Sequence, residues 1–311
     1  MDRNTTLSDA FDAFLAHCIR KGLSKESLRG YRSWCAPFIR QYGDHVVGDM
    51  TTEDMQDFVM WVMDRTMKKE ISQNTAASYV RNMKIFMKFI SDEMNGDVSF
   101  QTEKISQLKA PKKDVQMYTK EQISQLLQAA EQSEDWMTNR NRAIIALVLD
   151  SGVRREEIIK ITISDYLSCK SIGAIKIEGK GFKDRYVPIG DQTQHLIDAY
   201  IEECPYPIRS SLFIGHRGNP LTKSGLSKIM EVIASKVPFE FSLHRLRHHF
   251  ATEYLLYSYE ESNSMDAYGL RTLLGHSSFS TTDRYIHSAT SINAAKSHKP
   301  LMDRMDKDNK P

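Results

Sequence analysis

Hydrophobic residues recur at helical spacing through the first hundred residues, and this pattern predicts four helices with short breaks between them. The first, TLSDAFDAFLAHCIRKG, has apolar residues every three or four positions and stops at Gly22. The second begins after Ser24 and ends at Gly43, and we expect Pro37 to bend it. The third begins at Thr52, where the acidic residues that follow suit a helix N-terminus.

The fourth predicted helix, about residues 74–94, has two distinct faces. One is an apolar stripe of Val80, Met83, Met87 and Ile90. The other is basic and contains Arg81, Lys84 and Lys88. The simpler interpretation of the basic face is a solvated surface. The alternative is a surface for the phosphates of nucleic acid, where each cation would release a counterion.

The helical periodicity fades between residues 95 and 118, where Gly, Pro and Lys appear, and this indicates a linker. We therefore predict a helical domain at 1–98, a linker at 99–117 and a second domain at 118–311. The second domain begins with a capping box formed by Thr119 and Gln122.

The segment RAIIALVLDSG follows in the second domain and is apolar enough to be a buried helix. The one clear strand pair is SIGAIKIEGKGFKDRYVPIG, with its turn at Gly179–Gly181. The predicted fold is therefore mainly α with a small antiparallel β-sheet. It comprises an N-terminal helical domain and an α+β second domain.

The composition changes this picture little. A chain of 311 residues fits two domains, and 41% hydrophobic with 26% charged residues is ordinary for a globular protein. No apolar run reaches the roughly 18 residues of a membrane span, and the start MDRNTTLSDAFDAF lacks a signal peptide, so we expect a cytoplasmic protein. The four cysteines form no CxxC pair, which argues against a disulfide framework or structural zinc. With a net charge of +2, any basic surface must come from uneven placement of charge.

Two segments of the second domain place a basic residue next to a glycine turn. In DSGVRREEI, Arg154 follows a glycine directly after the buried helix, and Glu157 lies one turn later, where it can orient the guanidinium. In EGKGFKDRYVP, Lys180 lies between two glycines at a hairpin tip, where the backbone can approach a ligand closely. Taken alone, each is ordinarily a surface residue.

Two further segments contribute histidines and a tyrosine. In SLHRLRHHF a helix would place His244, Arg247 and His248 on one face. The two histidines could suggest a metal pair, but no carboxylate accompanies them and the arginines would repel a cation, so we predict no metal. In LLGHSSFSTTDRYIH, His276 and Tyr285 are separated by a run of hydroxyl residues. That run is either a polar turn between helices or a means of bringing the two rings to one site.

Together these segments carry two arginines, a lysine, two histidines and a tyrosine, which suits chemistry on a phosphodiester. Two guanidiniums can hold the non-bridging oxygens and stabilise the charge of a pentacoordinate phosphorus. A neighbouring histidine and the cationic field can activate a phenol as nucleophile, and a lysine or histidine can protonate the leaving 5′ oxygen. The arginines would take the role of a metal, so no cofactor is predicted.

The motifs SGVRREE, GKGFKDRYVPI, HRLRHHF and LLGHSSFSTTDRYIH resemble, in order and spacing, those of the tyrosine recombinase (phage integrase) family. The resemblance extends over nearly the whole chain and is to the simple two-domain type. It implies six catalytic residues: phosphate-clamping Arg154 and Arg247, general acid Lys180, proton-transferring His244, phosphate-bonding His276, and Tyr285, which forms a 3′-phosphotyrosine. It further implies a supporting acid, Glu157, and a histidine that we interpret as structural, His248. The hydroxyl run is then simply a turn that brings the tyrosine helix back toward His276.

The resemblance also implies partners. The two domains would clamp double-stranded DNA at inverted-repeat core sites, with Arg81, Lys84 and Lys88 facing the DNA. Four subunits would assemble through the C-terminal segment, where Ile292, Leu301 and Met302 would pack, and accessory DNA-bending proteins could assist. We expect no membrane partner and a location at the nucleoid.

The implied activity is site-specific recombination through a Holliday junction. As the biological role we favour the integrase of a mobile element, a transposon or a phage. Resolution of plasmid or chromosome dimers and DNA inversion stay open as alternatives. So do a type IB topoisomerase, which would share the six residues, and a DNA-binding protein that has lost catalysis.

Overall fold

The computed structural model describes residues 1–109, 117–132, 134–179, 184–208, 210–276 and 278–297. The chain divides into two compact units, Met1–Lys113 and Asp114–Pro311. Part of the predicted linker, residues 110–116, lies outside the described residues. Phe100 and Ile105 also fall in that predicted linker, yet they are buried in the core of the first unit because they are apolar. The predicted domain boundaries stay a prediction.

The described residues of the first unit form four helices. They are α1 (Leu7–Arg20), α2 (Lys25–Tyr42), α3 (Thr52–Met67) and α4 (Gln73–Glu93). A hydroxyl side chain accepts a backbone N–H at the start of each helix; these caps are Thr6, Ser24, Thr51 and Ser72. The sequence pattern indicated the cap at Ser24, whereas the third helix begins with a cap at Thr51, one residue before the predicted start. The predicted apolar stripe of α4 is fully buried, because it packs against the aromatic core of the unit.

The second unit is mostly helical around a central apolar helix. Its described helices are α5 (Lys120–Ala129), α6 (Asp135–Ser151), α7 (Arg155–Ile158), α8 (Ile163–Leu167), α9 (Asp191–Glu203), α10 (Lys223–Ser235), α11 (Leu243–Ser262), α12 (Ala267–Leu274) and α13 (Asp283–Ser297). The predicted capping box of Thr119 and Gln122 starts α5. The buried helix α6 packs against α9 and α11.

A two-stranded antiparallel sheet completes the second unit in the described part of the chain. Strand β1 (Ala174–Ile177) pairs with β2 (Arg185–Pro188), with Ala174 opposite Pro188 and Ile177 opposite Arg185. Two residues of the predicted turn, Lys180 and Gly181, fall within residues 180–183, outside the described residues. The predicted fold class, mainly α with a small antiparallel sheet, is confirmed.

Two helices of the second unit end in left-handed glycines, and these turns position the polar residues described below. Gly152 ends α6 at φ +60°, where an added Cβ would come within 2.8 Å of Leu274 Cδ2 and closer still to the Phe250 ring. Gly275 ends α12, also at φ +60°. Glycine is favoured at both turns because other residues disfavour this backbone conformation.

Across the described ranges, no helix is both long enough and apolar enough to cross a membrane.

Candidate active site

Arg247 lies at the centre of the polar cluster and is 5% exposed. Its guanidinium donates to the carbonyl of Gly152 and, at 3.0 Å, to the carbonyl of Leu274, so it ties the end of α6 to the end of α12. Burial, with the positive charge of Arg154 nearby, lowers the pKa of Arg247 to about 10. The group is therefore still a cation at neutral pH.

Arg154 reaches the same cluster from the start of α7. Its Nη1 donates to Glu157 Oε1 and its Nη2 to the Gly275 carbonyl, each at 3.0 Å. Its backbone N–H donates to Glu157 Oε2 at 2.7 Å, so the carboxylate holds Arg154 as the sequence pattern indicated. The Arg154 side chain is 40% exposed and remains accessible to a ligand.

Arg185 was missed by the sequence analysis. It lies on β2, is 9% exposed, and its two terminal nitrogens donate to the two oxygens of Glu157 at 3.0 and 2.8 Å. Its Nε donates to the Leu273 carbonyl at 2.7 Å. Burial acts to raise the pKa of Glu157, but the hydrogen bond and charge of Arg185 outweigh it and the pKa is lowered. A charged residue at an inward position of a strand was the signal that could have revealed it.

His276 is held between a cation and a hydroxyl. Its Nε2 lies 3.0 Å from Arg247 Nη2, and its Nδ1 lies 3.0 Å from Thr282 Oγ1. Because a guanidinium only donates, we assign Nε2 as acceptor and place the proton on Nδ1, directed at Thr282. Burial and the charge of Arg247 lower the pKa of His276 to about 4, which keeps the ring neutral. Both ring nitrogens are engaged, so the predicted bond to a phosphate stays a prediction.

Thr282 corrects our interpretation of the hydroxyl run. We expected that run to be only a turn, but Thr282 is fully buried and fixes the orientation of the His276 ring. The sequence contained a signal, since a threonine three residues before a candidate nucleophile can face the core. It did not indicate which hydroxyl of the run would do so.

His244 and His248 face each other at 3.1 Å through their Nε2 atoms. One ring must donate and the other accept, so the pair cannot hold a proton on both facing nitrogens. Burial, then the neighbouring His244, lowers the pKa of His248 to about 4. Burial, then the charge of Arg284, lowers the pKa of His244. His248 therefore lies in the cluster as a neutral link between His244 and the tyrosine ring.

Tyr285 is 2% exposed and lies on α13. Its ring centroid is 4.8 Å from that of His248 and 6.1 Å from that of His276. The rings of Tyr285 and His276 are nearly parallel. The ring also belongs to the apolar cluster of α11, α12 and α13, which holds it in place. The convergence of the phenol and the imidazole is therefore present in the structure.

One open groove of about 820 Å³ in the second unit is lined by five of the six predicted catalytic residues, Arg154, His244, Arg247, His276 and Tyr285. The sixth, Lys180, lies outside the described residues. Arg284 also lines the groove and is exposed directly beside the tyrosine, and the sequence analysis did not single it out. The chemical roles of these residues stay predictions.

The three predicted DNA-facing residues lie on α4 of the first unit in different settings. Arg81 is exposed. Lys84 donates to the Ile105 carbonyl, so its amine is already engaged. Lys88 lies 3.3 Å from Asp92 in an exposed pair, which holds it only weakly.

A mainly helical two-unit chain, with arginines, histidines and a tyrosine around one groove, has the fold and site of an enzyme that transfers DNA strands. Comparison with known proteins agrees. The model of the phage integrase family matches residues 116–291, and that of the phage integrase N-terminal SAM-like domain matches residues 10–89. The chain therefore belongs to the phage integrase family and is a tyrosine recombinase, which confirms the resemblance.

Individual relatives match along most of the chain. Tyrosine recombinase XerD of Listeria innocua is 28% identical over 294 residues, covering 90% of this chain and 94% of the relative. Tyrosine recombinase XerC of Listeria welshimeri is 31% identical over 231 residues, covering 71% and 73%. The crystal structure of a lambda integrase tetramer bound to a Holliday junction has a TM-score of 0.68 at 20% identity, covering 89% of this chain and 79% of that chain. At that identity the structure supports the fold alone.

Proposed function

We propose that this recombinase cuts and rejoins double-stranded DNA at specific sites through a 3′-phosphotyrosine formed on Tyr285. The observation that carries the proposal is that Arg154, Arg247 and Tyr285 line one groove of one chain. Arg154 is accessible there, whereas Arg247 is fixed by two backbone carbonyls. Such preorganised cations stabilise developing negative charge strongly.

In the proposed reaction the Tyr285 oxygen attacks the scissile phosphorus and the bond to the 5′ oxygen breaks. Arg154 and Arg247 hold the non-bridging oxygens, and the phenolic proton passes to the His244 imidazole. Lys180 protonates the leaving 5′ oxygen. The reverse step, attack of a 5′-hydroxyl on the phosphotyrosine, rejoins DNA. The ester retains the energy of the phosphodiester, so this scheme needs neither ATP nor a metal.

We further propose that Tyr285 acts within its own subunit. The support is that its ring lies beside His248 and His276 of the same chain, 2% exposed. Mixing a Tyr285→Phe subunit with an Arg154→Ala subunit should therefore fail to restore cleavage. Restored cleavage in the mixture would reject the proposal that Tyr285 acts within its own subunit.

The proposed substrate is duplex DNA with inverted-repeat core sites, bound by a homotetramer during exchange through a Holliday junction. The support is the structural relative, which was solved as a tetramer on such a junction. Of the residues expected to join subunits, Leu301 and Met302 lie outside the described residues. Ile292 packs against its own chain's α11–α13 cluster instead, because it follows Tyr285 and Ala289 on the inward face of α13.

For the biological role we keep the integrase of a mobile element as the proposal. The relatives carry the names XerC, XerD and lambda integrase, which do not separate integration from resolution or inversion. The test is to place a pair of candidate sites in direct repeat, in inverted repeat, or on two plasmids, and to measure which arrangement recombines. Exchange in direct repeat alone would favour a resolution role over integration.

The central experiment uses a nicked suicide substrate that traps the covalent adduct. The wild-type protein should form an adduct that Tyr285→Phe does not form, while both bind the site with similar affinity. A wild-type protein that binds but forms no adduct would be a catalytically silent DNA-binding protein. Relaxation of supercoils without joining of two sites would indicate a topoisomerase.

A further inference from the structure

We propose that Arg185 is a positioning residue for the phosphate-binding Arg154, through which it acts on cleavage. The inference rests on the proposed function and deepens it. Arg185 does not line the groove, so it is not expected to touch DNA. Its effect passes through the carboxylate of Glu157, which both arginines share.

The contacts divide the carboxylate unequally between the two arginines. Arg185 occupies both oxygens of Glu157, at 3.0 and 2.8 Å, in a two-pronged pair whose side chains are 9% and 12% exposed. The Arg154 side chain donates to one of these oxygens, Oε1, and directs its Nη2 to the Gly275 carbonyl. One negative charge therefore faces two positive charges, and the excess positive charge lies on the more exposed Arg154.

Arg185 also holds the segment that carries the second hydrogen-bond partner of Arg154, the Gly275 carbonyl. Its Nε donates to the Leu273 carbonyl at 2.7 Å, two residues before Gly275. Its guanidinium lies against Gly275 so closely that an added Cβ there would be 3.1 Å from Nη1. The carboxylate and the carbonyl that hold Arg154 are thus both fixed by Arg185.

Among the described residues, loss of Arg185 would leave Glu157 with Arg154 as its remaining side-chain cation. A buried carboxylate needs a partner, so it would take Arg154 in a two-pronged pair. That pairing neutralises Arg154 and competes with the phosphate for the same N–H groups. The expected result is a slower chemical step in a protein that still binds its site through its other contacts.

The test measures the single-turnover rate of adduct formation on a nicked suicide substrate, per folded molecule, for Arg185→Met and Arg185→Lys. We expect Arg185→Met to slow cleavage by about tenfold or more, a loss typical of weakened transition-state charge stabilisation. Arg185→Lys keeps the charge but not the fork and should fall between Arg185→Met and the wild type. It carries the test if Arg185→Met does not fold. Affinity for the site, measured separately, should change less than the rate.

Arg140 provides the matched control, because it is also a buried arginine of the second unit. It is 3% exposed, donates to the Ile214 carbonyl and to Asn141, and does not line the groove. Arg140→Met should lower stability as a buried change does, yet cleave at nearly the wild-type rate per folded molecule. An equal loss of rate in both variants would show a general structural effect and overturn the inference.

A second readout removes the carboxylate that Arg185 is proposed to restrain. Adding Glu157→Gln to Arg185→Met should raise the cleavage rate above that of Arg185→Met alone, because Arg154 is no longer captured. No recovery in the double variant, or a wild-type rate for Arg185→Met, would overturn the inference. If the wild-type protein itself forms no adduct, the proposed function fails instead, so the two failures are distinguishable.

Discussion

Replacing Gly152 by alanine perturbs the turn that connects the core to the candidate active-site groove. The glycine ends α6 at φ +60°, and its carbonyl accepts a hydrogen bond from Arg247. An alanine Cβ would lie 2.8 Å from Leu274 Cδ2 and closer still to the Phe250 ring. Both neighbours belong to the buried cluster that also holds Tyr285, so they have little room to move.

Two costs add in this variant. The left-handed backbone costs an alanine about 1–2 kcal/mol. Overpacking a filled core costs about 1–3 kcal/mol more. We therefore expect Gly152→Ala to lower the free energy of unfolding by roughly 2–5 kcal/mol, from the sum of these two ranges.

Gly173 gives a control that separates the two costs. It has nearly the same backbone conformation, φ +65°, but among the described residues an added Cβ there meets only the Ile189 carbonyl, at 3.6 Å, an ordinary contact. Gly173→Ala should therefore show only the backbone cost. Urea denaturation gives the free energy of unfolding of both variants. Adduct formation on a suicide substrate shows whether the groove is still active.

The outcome that refutes this reasoning is a loss of stability in Gly152→Ala no larger than in Gly173→Ala. A second requirement concerns activity. Because the displaced turn carries the carbonyl bonded to Arg247, Gly152→Ala should also reduce adduct formation by the molecules that remain folded, and Gly173→Ala should not.

Three further predictions concern protonation, DNA binding and thiol reactivity. The pKa values of His248 and His276 are lowered to about 4 from 6.5, so the unfolded chain binds more protons than the folded protein between these two pH values. The free energy of unfolding should therefore be highest above about pH 6.5 and decrease as the pH falls toward 4. A free energy of unfolding that stays constant between about pH 7.5 and 5 would contradict this. Arg81→Ala should weaken DNA binding and lower by about 1 the slope of log affinity against log salt concentration. Lys84→Ala should change both quantities less, because the Lys84 amine already donates to a carbonyl. Binding titrations at several salt concentrations test this, and a larger effect of Lys84→Ala would contradict it. Burial raises the pKa of Cys35 to about 12, so a thiol reagent at about pH 8 should leave this residue unmodified until the protein unfolds. Mass spectrometry measures the modification, and modification of Cys35 in the folded protein would refute the expectation.

Local patterns predicted the helices and their ends well. The caps at Ser24 and Thr119 and the buried stripe of α4 follow from residue types within a few positions, which is where helix signals lie. The strand pair followed from two extended runs flanking glycines. Local pattern did not reveal that Phe100 and Ile105, two apolar residues in a short polar stretch, pack in the core of the first unit.

The candidate site was predicted in its residue types and in the contact of Glu157 with Arg154, but not in its other connections. Three of the four motifs supplied the two arginines, two histidines and the tyrosine that line the groove. The contact of Arg185 was missed because its partner Glu157 is 28 residues away in the chain. Thr282 was missed because several hydroxyls in the same run look equivalent until the turn is folded.

The sequence by itself determined which chemical groups the chain offers and which helices carry them, because periodicity, caps and motifs are local properties. Only the tertiary structure decided which atoms meet. The hydrogen bonds from Arg154 to Gly275 and from Arg247 to Gly152 join residues 121 and 95 positions apart. They exist because α11 packs against both α6 and α12, which brings the ends of these helices together. Packing of the core therefore sets the geometry of the groove, whereas the motifs set its chemistry.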